Sequence, residues 1–270
     1  MTEIDFTKSD QYSLSIRLSA DGFSFSLYNP HDEGYLFYEP YSVNIAYSLT
    51  ANVKEMLNSS EVFKHTYKRV YIMYDTTRVT PVPFELFEDD EMEDLFYSNF
   101  PKVDNETVFC NILEKSNIVL LFGIDKHAYQ LLNEQFPNAK YFATVSPLTE
   151  YFQKKSKTNN KRLYAYLQKN GINVFAFDNG RPVLINSFSC EKFEDRIYYL
   201  LYIWKQLGFD AEIDELYMVG NIAEKDKLTD ELKKYTRNVS LFVPKSELNR
   251  PILTQREDIP FDLQTLLICE

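Results

Sequence analysis

The alternation of tight turns and apolar runs in residues 161–221 constrains the fold of this chain more than any other feature. Asn-Gly pairs at Asn170-Gly171 and Asn179-Gly180 separate three runs of strand-forming residues. Asn-Gly readily adopts the positive φ angles of a two-residue hairpin turn, so the three runs are predicted to form a meander. Apolar residues then follow helical spacing over Phe193–Leu207, and a short apolar strand, Leu216–Val219, precedes a second helix. The stretch therefore predicts one β-β-β-α-β-α unit.

The first part of the chain repeats this order with little identity between the two copies. A hairpin turn is predicted at Ala20-Asp21-Gly22, between two runs of alternating residues. The predicted elements are three strands, an amphipathic helix and a short apolar strand: Tyr12–Leu18, Phe23–Tyr28, Tyr35–Tyr41, Val43–Leu57 and Val70–Tyr74. The repetition predicts an α/β protein built from two tandem copies of one unit.

An insertion at about residues 77–122 follows the fourth strand of the first unit. Its first strand contains Pro81 and Pro83, which lack backbone N–H donors, so this strand is predicted to lie at a sheet edge. An acidic helix start and a hairpin complete a small α+β subdomain. The polar run at residues 154–161 predicts the boundary between a first unit, residues 1–155, and a second unit, residues 161–270.

Charge and cysteine content argue against several classes of function. The chain has 270 residues and a formal net charge of −11, whereas nucleic-acid binding needs a basic surface. The three cysteines have neither paired nor metal-ligand spacing, which predicts reduced thiols, no metal site and a cytoplasmic location. The acidic N-terminus is not typical of a signal peptide, and no apolar run reaches the length of a membrane span. We therefore expect neither nucleic-acid binding nor direct membrane insertion.

The doubled β-β-β-α-β-α unit resembles the actin-like ATPase and sugar kinase superfamily, whose two halves share a ribonuclease H-like core. The insertion, with its proline-bearing strand, acidic helix and hairpin, is similar to the extra subdomain of the FtsA and PilM branch. The whole chain also resembles a Bacteroidetes family with that fold. The resemblance implies two tandem ribonuclease H-like units, with the α+β insertion in the first.

The residues that carry nucleotide chemistry in that superfamily are replaced here. An Asp-x-Gly at the end of the first strand of each half manages the metal and lets backbone N–H groups approach phosphate. The aligned segments are Arg17-Leu18-Ser19 and Tyr166-Leu167-Gln168, which lack both the carboxylate and the glycine. A Gly-Gly ahead of a helix approaches the adenosine, and Gly220-Asn221 stands at that position. The resemblance thus implies the fold without ATP hydrolysis, and no catalytic residue is assigned.

The leading hypothesis is a degenerate actin-like scaffold that uses no cofactor and binds a protein or peptide partner. In the PilM-like branch a cleft beside the inserted subdomain receives a partner's peptide. The resemblance therefore implies Val82, Phe84 and Phe87 as partner-binding residues. The predicted edge strand is also suited to strand addition by an extended peptide. An equally good alternative is that these apolar residues cover the core of the first unit and bind no partner.

The alternative is a divergent protein that binds or hydrolyses ATP, with magnesium, in the cleft between the halves. In that case Asp21, Asp178, Gly220 and Asn221 are the residues expected to line the cleft. The two aspartates also suit hairpin turns, and Asn221 also suits a helix cap. A cleft filled by Tyr and Phe side chains would exclude this alternative.

Overall fold

The computed structural model describes residues 4–20, 22–29, 36–220, 222–243, 256 and 258–269. The strands are β1 (Ser13–Ser19), β2 (Gly22–Tyr28), β3 (Leu36–Tyr41), β4 (Arg69–Tyr74), β5 (Val79–Pro83), β6 (Glu106–Leu113), β7 (Ile118–Asp125), β8 (Lys140–Ala143), β9 (Arg162–Gln168), β10 (Gly171–Asp178), β11 (Arg181–Ser189), β12 (Glu215–Val219) and β13 (Asn238–Leu241). The helices are α1 (Leu49–Ser59), α2 (Met92–Asn99), α3 (Lys126–Gln135), α4 (Val145–Lys155), α5 (Phe193–Gln206), α6 (Lys225–Leu232) and α7 (Phe261–Cys269). No helix in these ranges is both long and apolar enough to cross a lipid bilayer.

Two five-stranded sheets have the same strand order. It is β3-β2-β1-β4-β8 in the first half (β1–β8 with α1–α4) and β11-β10-β9-β12-β13 in the second half (β9–β13 with α5 and α6). The first three strands of each half form an antiparallel meander. The fourth strand then joins the first in parallel, and the fifth joins the fourth. Parallel neighbours need crossover connections, which α1, α3, α5 and α6 supply. The two halves therefore repeat one topology, as the sequence predicts.

The turn between β10 and β11 shows why the meander forms. Asn179 and Gly180 have φ angles of 49° and 76°. These left-handed values are the ones that a two-residue hairpin turn requires, and Asn and Gly adopt them at little cost.

The helix predicted from Val43 begins only at Leu49. Ser48 caps α1 because its side chain accepts a hydrogen bond from a backbone N–H in the first turn. The side chain of Asn52 meanwhile hydrogen bonds to both the backbone N–H and the carbonyl of Asn44. These contacts hold the residues before Ser48 as a loop, which helical spacing of apolar residues could not reveal.

Helices cover both faces of each sheet. Because side chains alternate between the faces of a strand, Ile72 of β4 packs with α1 and α3, whereas Met73 packs on α7. In the second half α5 and α6 cover one face, and α4 packs on the other beside Tyr164. α4 and α7 contact each other between the two sheets, where Phe152 and Phe261 share one apolar cluster. The halves are thus joined through a common interior.

The insertion forms a three-stranded sheet in the order β5-β7-β6, with α2 packed on it. The strand with Pro81 and Pro83 lies at an edge of this sheet, as predicted. The opposite edge is fastened to the first half by Asn111. Its side chain accepts from the N–H of Ala143 at 3.0 Å and donates to the carbonyl of Tyr141 at 2.8 Å. The side chain of Asn111 therefore makes the link between β6 and β8 that backbone hydrogen bonds make between paired strands.

Candidate functional site

A cleft of about 1170 Å³ opens between the two halves. Tyr41 lines it from the first half, Lys169 and Gly220 line it from the second, and Phe261 lines it from α7. Its walls carry both polar and apolar side chains. The cleft is therefore not filled by aromatic rings, and it leaves room for a small molecule.

A buried ion pair joins β1 to α7 at this cleft. Arg17 donates from Nε to both carboxylate oxygens of Asp262, at 3.0 and 2.9 Å, and its Nη2 lies 2.8 Å from Oδ2. Arg17 is 8% exposed, and Asp262 is completely buried in the first turn of α7. The planar guanidinium and the carboxylate thus meet in the bidentate geometry that gives the strongest pairing.

Burial affects both charges of the pair. Burial raises the pKa of the Asp262 carboxyl, and the charge and hydrogen bonds of Arg17 oppose that rise. Burial lowers the pKa of Arg17, but the charge and hydrogen bonds of Asp262, together with Tyr166 and Asp75, outweigh this effect, so the pKa of Arg17 is raised above its ordinary value. Each charge is therefore tolerated in the interior because the other is present.

Asp75 gathers polar groups from three strand ends. It directly follows β4 and accepts hydrogen bonds from Ser19 Oγ at 2.8 Å and from Thr144 Oγ1 at 3.0 Å. Gln168 Nε2 donates to both Asp75 oxygens at 2.9 Å. Arg17 Nη2 stands 3.9 Å from the same carboxylate. Because Gln168 belongs to the second half, Asp75 links the two halves directly.

Tyr166 is the fifth residue of β9, the place that Arg17 occupies in β1. It is 4% exposed. Burial raises its pKa well above the ordinary value of a tyrosine, with a further rise from the charge of Asp262. The second strand end therefore presents a neutral phenol.

The two strand ends lack the carboxylates that manage metal and water in actin-like ATPases. Arg17 offers no lone pair to a metal ion and is already paired with Asp262, and Tyr166 stays neutral. The nearby carboxylates of Asp75 and Asp262 already accept hydrogen bonds from protein donors. In the described ranges, no cluster of three or more His, Cys, Asp or Glu side chains is placed to hold a metal ion.

Gly220 lies at the cleft, after β12, with a φ angle of 97°. A Cβ atom at this position would stand 2.5 Å from the carbonyl oxygen of Leu167. The backbone alone therefore requires glycine here, because both the left-handed φ and the close approach exclude a side chain. Asp21 and Asn221 lie outside the described residues.

Asp178 is exposed at the end of β10 and does not line the cleft, which corrects the expectation from the sequence. β10 runs antiparallel to β9, so its last residues lie beside Arg162, the first residue of β9. The cleft is at the other end of β9, beyond Gln168. The sequence places Asp178 near a turn, but the direction of β10 decides which turn it is.

The three predicted partner-binding residues differ in exposure. Val82 is 7% exposed in the core between the subdomain sheet and α2, and Phe87 is partly buried against the same core. Phe84 is 46% exposed, and Leu86 is 66% exposed. The prediction for Val82 is thereby corrected, because its side chain packs inside the subdomain.

The edge of β5 is less accessible than the sequence suggests. β11, the outer strand of the second sheet, lies alongside β5 without joining its sheet. Strand addition by a peptide would require these two strands to separate.

Sequence reasoning assigned no role to Asp75, Gln168, Arg196 or Asp262. A polar residue that directly follows a buried strand is a usable signal, and it could have identified Asp75. Asp262 has no such signal, because 245 residues separate it from Arg17.

The chain matches, over residues 1–239, a family model described as protein of unknown function DUF3822. It belongs to this family. A crystal structure of a Bacteroides thetaiotaomicron VPI-5482 protein with an actin-like ATPase fold and unknown function is 46% identical to this DUF3822 chain. The alignment covers 99% of this chain and 100% of that one, with a TM-score of 0.89. Comparison with curated proteins gives no match.

A more distant similarity relates the DUF3822 chain to a PilM–PilN type IV pilus biogenesis complex. The identity is 13%, the alignment covers 96% of this chain and 98% of that one, and the TM-score is 0.51. At this identity the likeness concerns the fold. The predicted actin-like ATPase fold, and the resemblance to the PilM branch, are confirmed.

Proposed function

We propose that this DUF3822 protein is an actin-like scaffold that binds a protein partner and does not hydrolyse ATP. The observation that carries the proposal is the Arg17–Asp262 ion pair at the end of β1. Phosphoryl transfer needs a metal ion to neutralise developing charge and a group that positions the nucleophile. The strand end that presents a metal-managing carboxylate in the superfamily here presents a cation already paired with its own carboxylate.

The contacts between the halves support a role that depends on fixed shape. The Asp75–Gln168 hydrogen bonds join strand ends of the two sheets. α4, which packs on the second sheet, contacts α7, and the Arg17–Asp262 pair holds α7 to the first sheet. Buried polar contacts of this kind require specific geometry, so they favour one relative placement of the halves. A scaffold presents a surface in a constant orientation, and these contacts serve that purpose.

The surface that we assign to the partner is formed by the exposed side chains of Phe84 and Leu86, and we call it the Phe84 surface. The PilM structure is a complex with PilN, and we extend protein binding from that neighbour to this chain as part of the proposal. Exposed acidic residues adjoin the surface in sequence: Glu85, Glu88, Asp89, Asp90, Glu91, Glu93 and Asp94. This charge favours a partner segment with basic residues around an apolar anchor.

Phosphate release from ATP in the presence of magnesium tests the first part of the proposal. We expect no release above that of a heat-inactivated sample, because the aligned positions are Arg17 and Tyr166. Turnover that is abolished by Asp21→Ala or Asp75→Asn would contradict the proposal and assign the chemistry to a divergent carboxylate.

Quantitative affinity capture tests the Phe84 surface. Phe84→Asp should lose a partner that wild type retains, with a melting temperature within about 2 °C of wild type, because surface substitutions change stability little. Ile112→Asp is the matched control, since Ile112 is an exposed apolar residue of the same subdomain at 50% exposure. Equal loss in both variants, or unfolding of Phe84→Asp, would remove the assignment of this surface.

The open cleft favours a second candidate function, a divergent ATP-binding protein. Its volume of about 1170 Å³ leaves room for a small molecule, and Gly220 lies on its wall. Calorimetric titration of ATP with magnesium separates the candidates, because a scaffold that uses no nucleotide gives no saturable heat.

A further inference from the structure

Arg196 is a buried cation at the cleft for which the described part of the chain supplies no carboxylate partner. It is 4% exposed, lies near the start of α5 and lines the cleft. Its Nη2 donates to the carbonyl oxygens of Gln168 and Lys169, at 3.0 and 2.7 Å. Its Nε is buried without a hydrogen-bond partner.

This placement is unfavourable in three respects. A charge removed from water is costly unless a counter-charge is present, and the buried Nε forgoes a hydrogen bond. A cation near the amino end of a helix also opposes the helix dipole. Glu194 and Asp195 in the first turn of α5 lessen this third effect, but Asp195 already accepts a hydrogen bond from the backbone N–H of Lys192. An anion held against the guanidinium would balance its charge and offset the unfavourable effect of the helix dipole.

The other arginines described at the cleft already have carboxylate partners. Arg17 is paired with Asp262, and Arg256 is paired with Asp258 at 2.6 Å. Lys225 adds positive charge to the wall on which Arg196 lies. Arg196 is thus the arginine among them whose charge remains to be balanced.

We propose that the cleft binds a small molecule through one carboxylate or phosphate group that pairs with Arg196. Glu191 and Glu224 also line the cleft, and they oppose a highly charged ligand such as a polyphosphate. They favour instead a molecule that carries one oxyanion group beside hydroxyl groups, which donate hydrogen bonds to carboxylates. The proposal goes beyond the scaffold function and does not depend on the absence of ATP hydrolysis.

Thermal unfolding with two probes tests the site. Inorganic phosphate and gluconate distinguish a phosphate from a carboxylate ligand, and sodium chloride at equal ionic strength is the reference. We expect at least one probe to raise the melting temperature saturably, by about 5 °C at a hundredfold excess over its Kd. Arg196→Gln should weaken the binding of that probe at least about tenfold, because a charge-assisted hydrogen bond is lost.

Arg237→Gln is the matched control, because it removes an exposed arginine whose partner Glu212 is also exposed. The proposal is overturned if neither probe exceeds sodium chloride, or if Arg196→Gln and Arg237→Gln respond to the probe alike. Arg196→Gln also removes contacts to the β9–β10 turn and can impair folding. Hydrogen exchange of the wild-type protein therefore gives a second measurement. The effective probe should slow the exchange of backbone amides in residues 166–171. Slower exchange confined to other segments would contradict the assignment of the ligand to Arg196.

Discussion

Arg17 and Asp262 support each other in the interior, so removal of one partner should cost more than removal of both. Asp262→Leu leaves a buried guanidinium whose nearest remaining carboxylate is that of Asp75, with 3.9 Å between the charged atoms. We expect this variant to lose about 3–5 kcal/mol of unfolding free energy. The double variant Arg17→Met with Asp262→Leu should recover most of that loss, because similar volumes then pack without charge. Urea denaturation of wild type, the single variants Arg17→Met and Asp262→Leu, and the double variant measures the cycle.

The exposed pair Arg237–Glu212 provides the comparison for this cycle, since its charged atoms are 3.3 Å apart in contact with solvent. Glu212→Gln should change the unfolding free energy by less than about 1 kcal/mol. If the double variant Arg17→Met with Asp262→Leu is no more stable than Asp262→Leu, the unpaired charge of Arg17 is not the main cause of the lost unfolding free energy.

Cys190 should react slowly with thiol reagents in the native protein. It is fully buried, and burial raises its pKa to about 11. A pKa two units above the ordinary value leaves on the order of a hundredth of the usual thiolate at pH 8, and the thiolate is the reactive form. In a Cys110→Ser, Cys269→Ser background, Ellman's reagent should label Cys190 at least about a hundredfold faster in urea than in buffer. Equal rates would show that the second sheet opens readily.

At the level of single residues, local rules predict some positions and cannot predict others. Gly220 is predictable, because a glycine between a strand and a helix commonly has a positive φ. Asp262 is not, because an ion pair across 245 residues depends on where the chain returns. Arg196 carries no signal either, since nothing in the sequence shows that the fold buries its guanidinium.

Among the elements, α7 makes the clearest energetic prediction. Leu263 is completely buried between α7 and the first sheet, in a cluster with Tyr71 and Met73. Leu263→Ala should cost about 2–5 kcal/mol of unfolding free energy, because the lost contacts leave a cavity between two rigid layers. Leu86→Ala makes the same chemical change at a residue that is 66% exposed, and should cost less than about 1 kcal/mol. Similar losses in both variants, measured by urea denaturation, would show that α7 is not firmly docked.

Element boundaries followed from the sequence where turn or cap residues mark them. The hairpin at Asn179-Gly180 is such a case, because the Asn-Gly pair that forms its turn is visible in the sequence. The start of α1 was predicted too early, because apolar spacing extends to Val43 while Asn52 binds the loop before the helix. Periodicity reports which face is apolar, but side-chain hydrogen bonds decide where the helix begins.

The whole molecule should lose stability in alkali because several tyrosines are buried. Burial raises the pKa of Tyr74 to about 12 and that of Tyr166 well above its ordinary value. In the unfolded chain both titrate near pH 10, so above that pH the unfolded state binds fewer protons and is favoured. We expect the unfolding free energy to fall from about pH 10 to pH 12, by roughly 1.4 kcal/mol per pH unit for each such tyrosine.

Tyr166→Phe separates this effect from the titration of lysines. Its unfolding free energy should fall less steeply between pH 10 and pH 12 than that of wild type, as measured by urea denaturation at each pH. Parallel curves for the two proteins would assign the alkaline loss to other groups.

The overall architecture was predictable because one topology occurs twice, and each copy has the same succession of predicted strands and helices. The relation between the copies was not predictable. It depends on α7, which follows the second half in sequence yet packs on the first sheet through Leu263, and on the contact between Asp75 and Gln168. Local patterns describe each half and contain no information on how the halves meet.

The position of α7 has a consequence for how the protein is made. The first half leaves the ribosome early, but the face of its sheet that carries Met73 remains uncovered until residues 261–267 have been synthesised. Contacts between residues so distant in sequence form late. During translation the first sheet therefore exposes apolar surface of the kind that chaperones bind, and its final closure waits for nearly all of the second half to emerge.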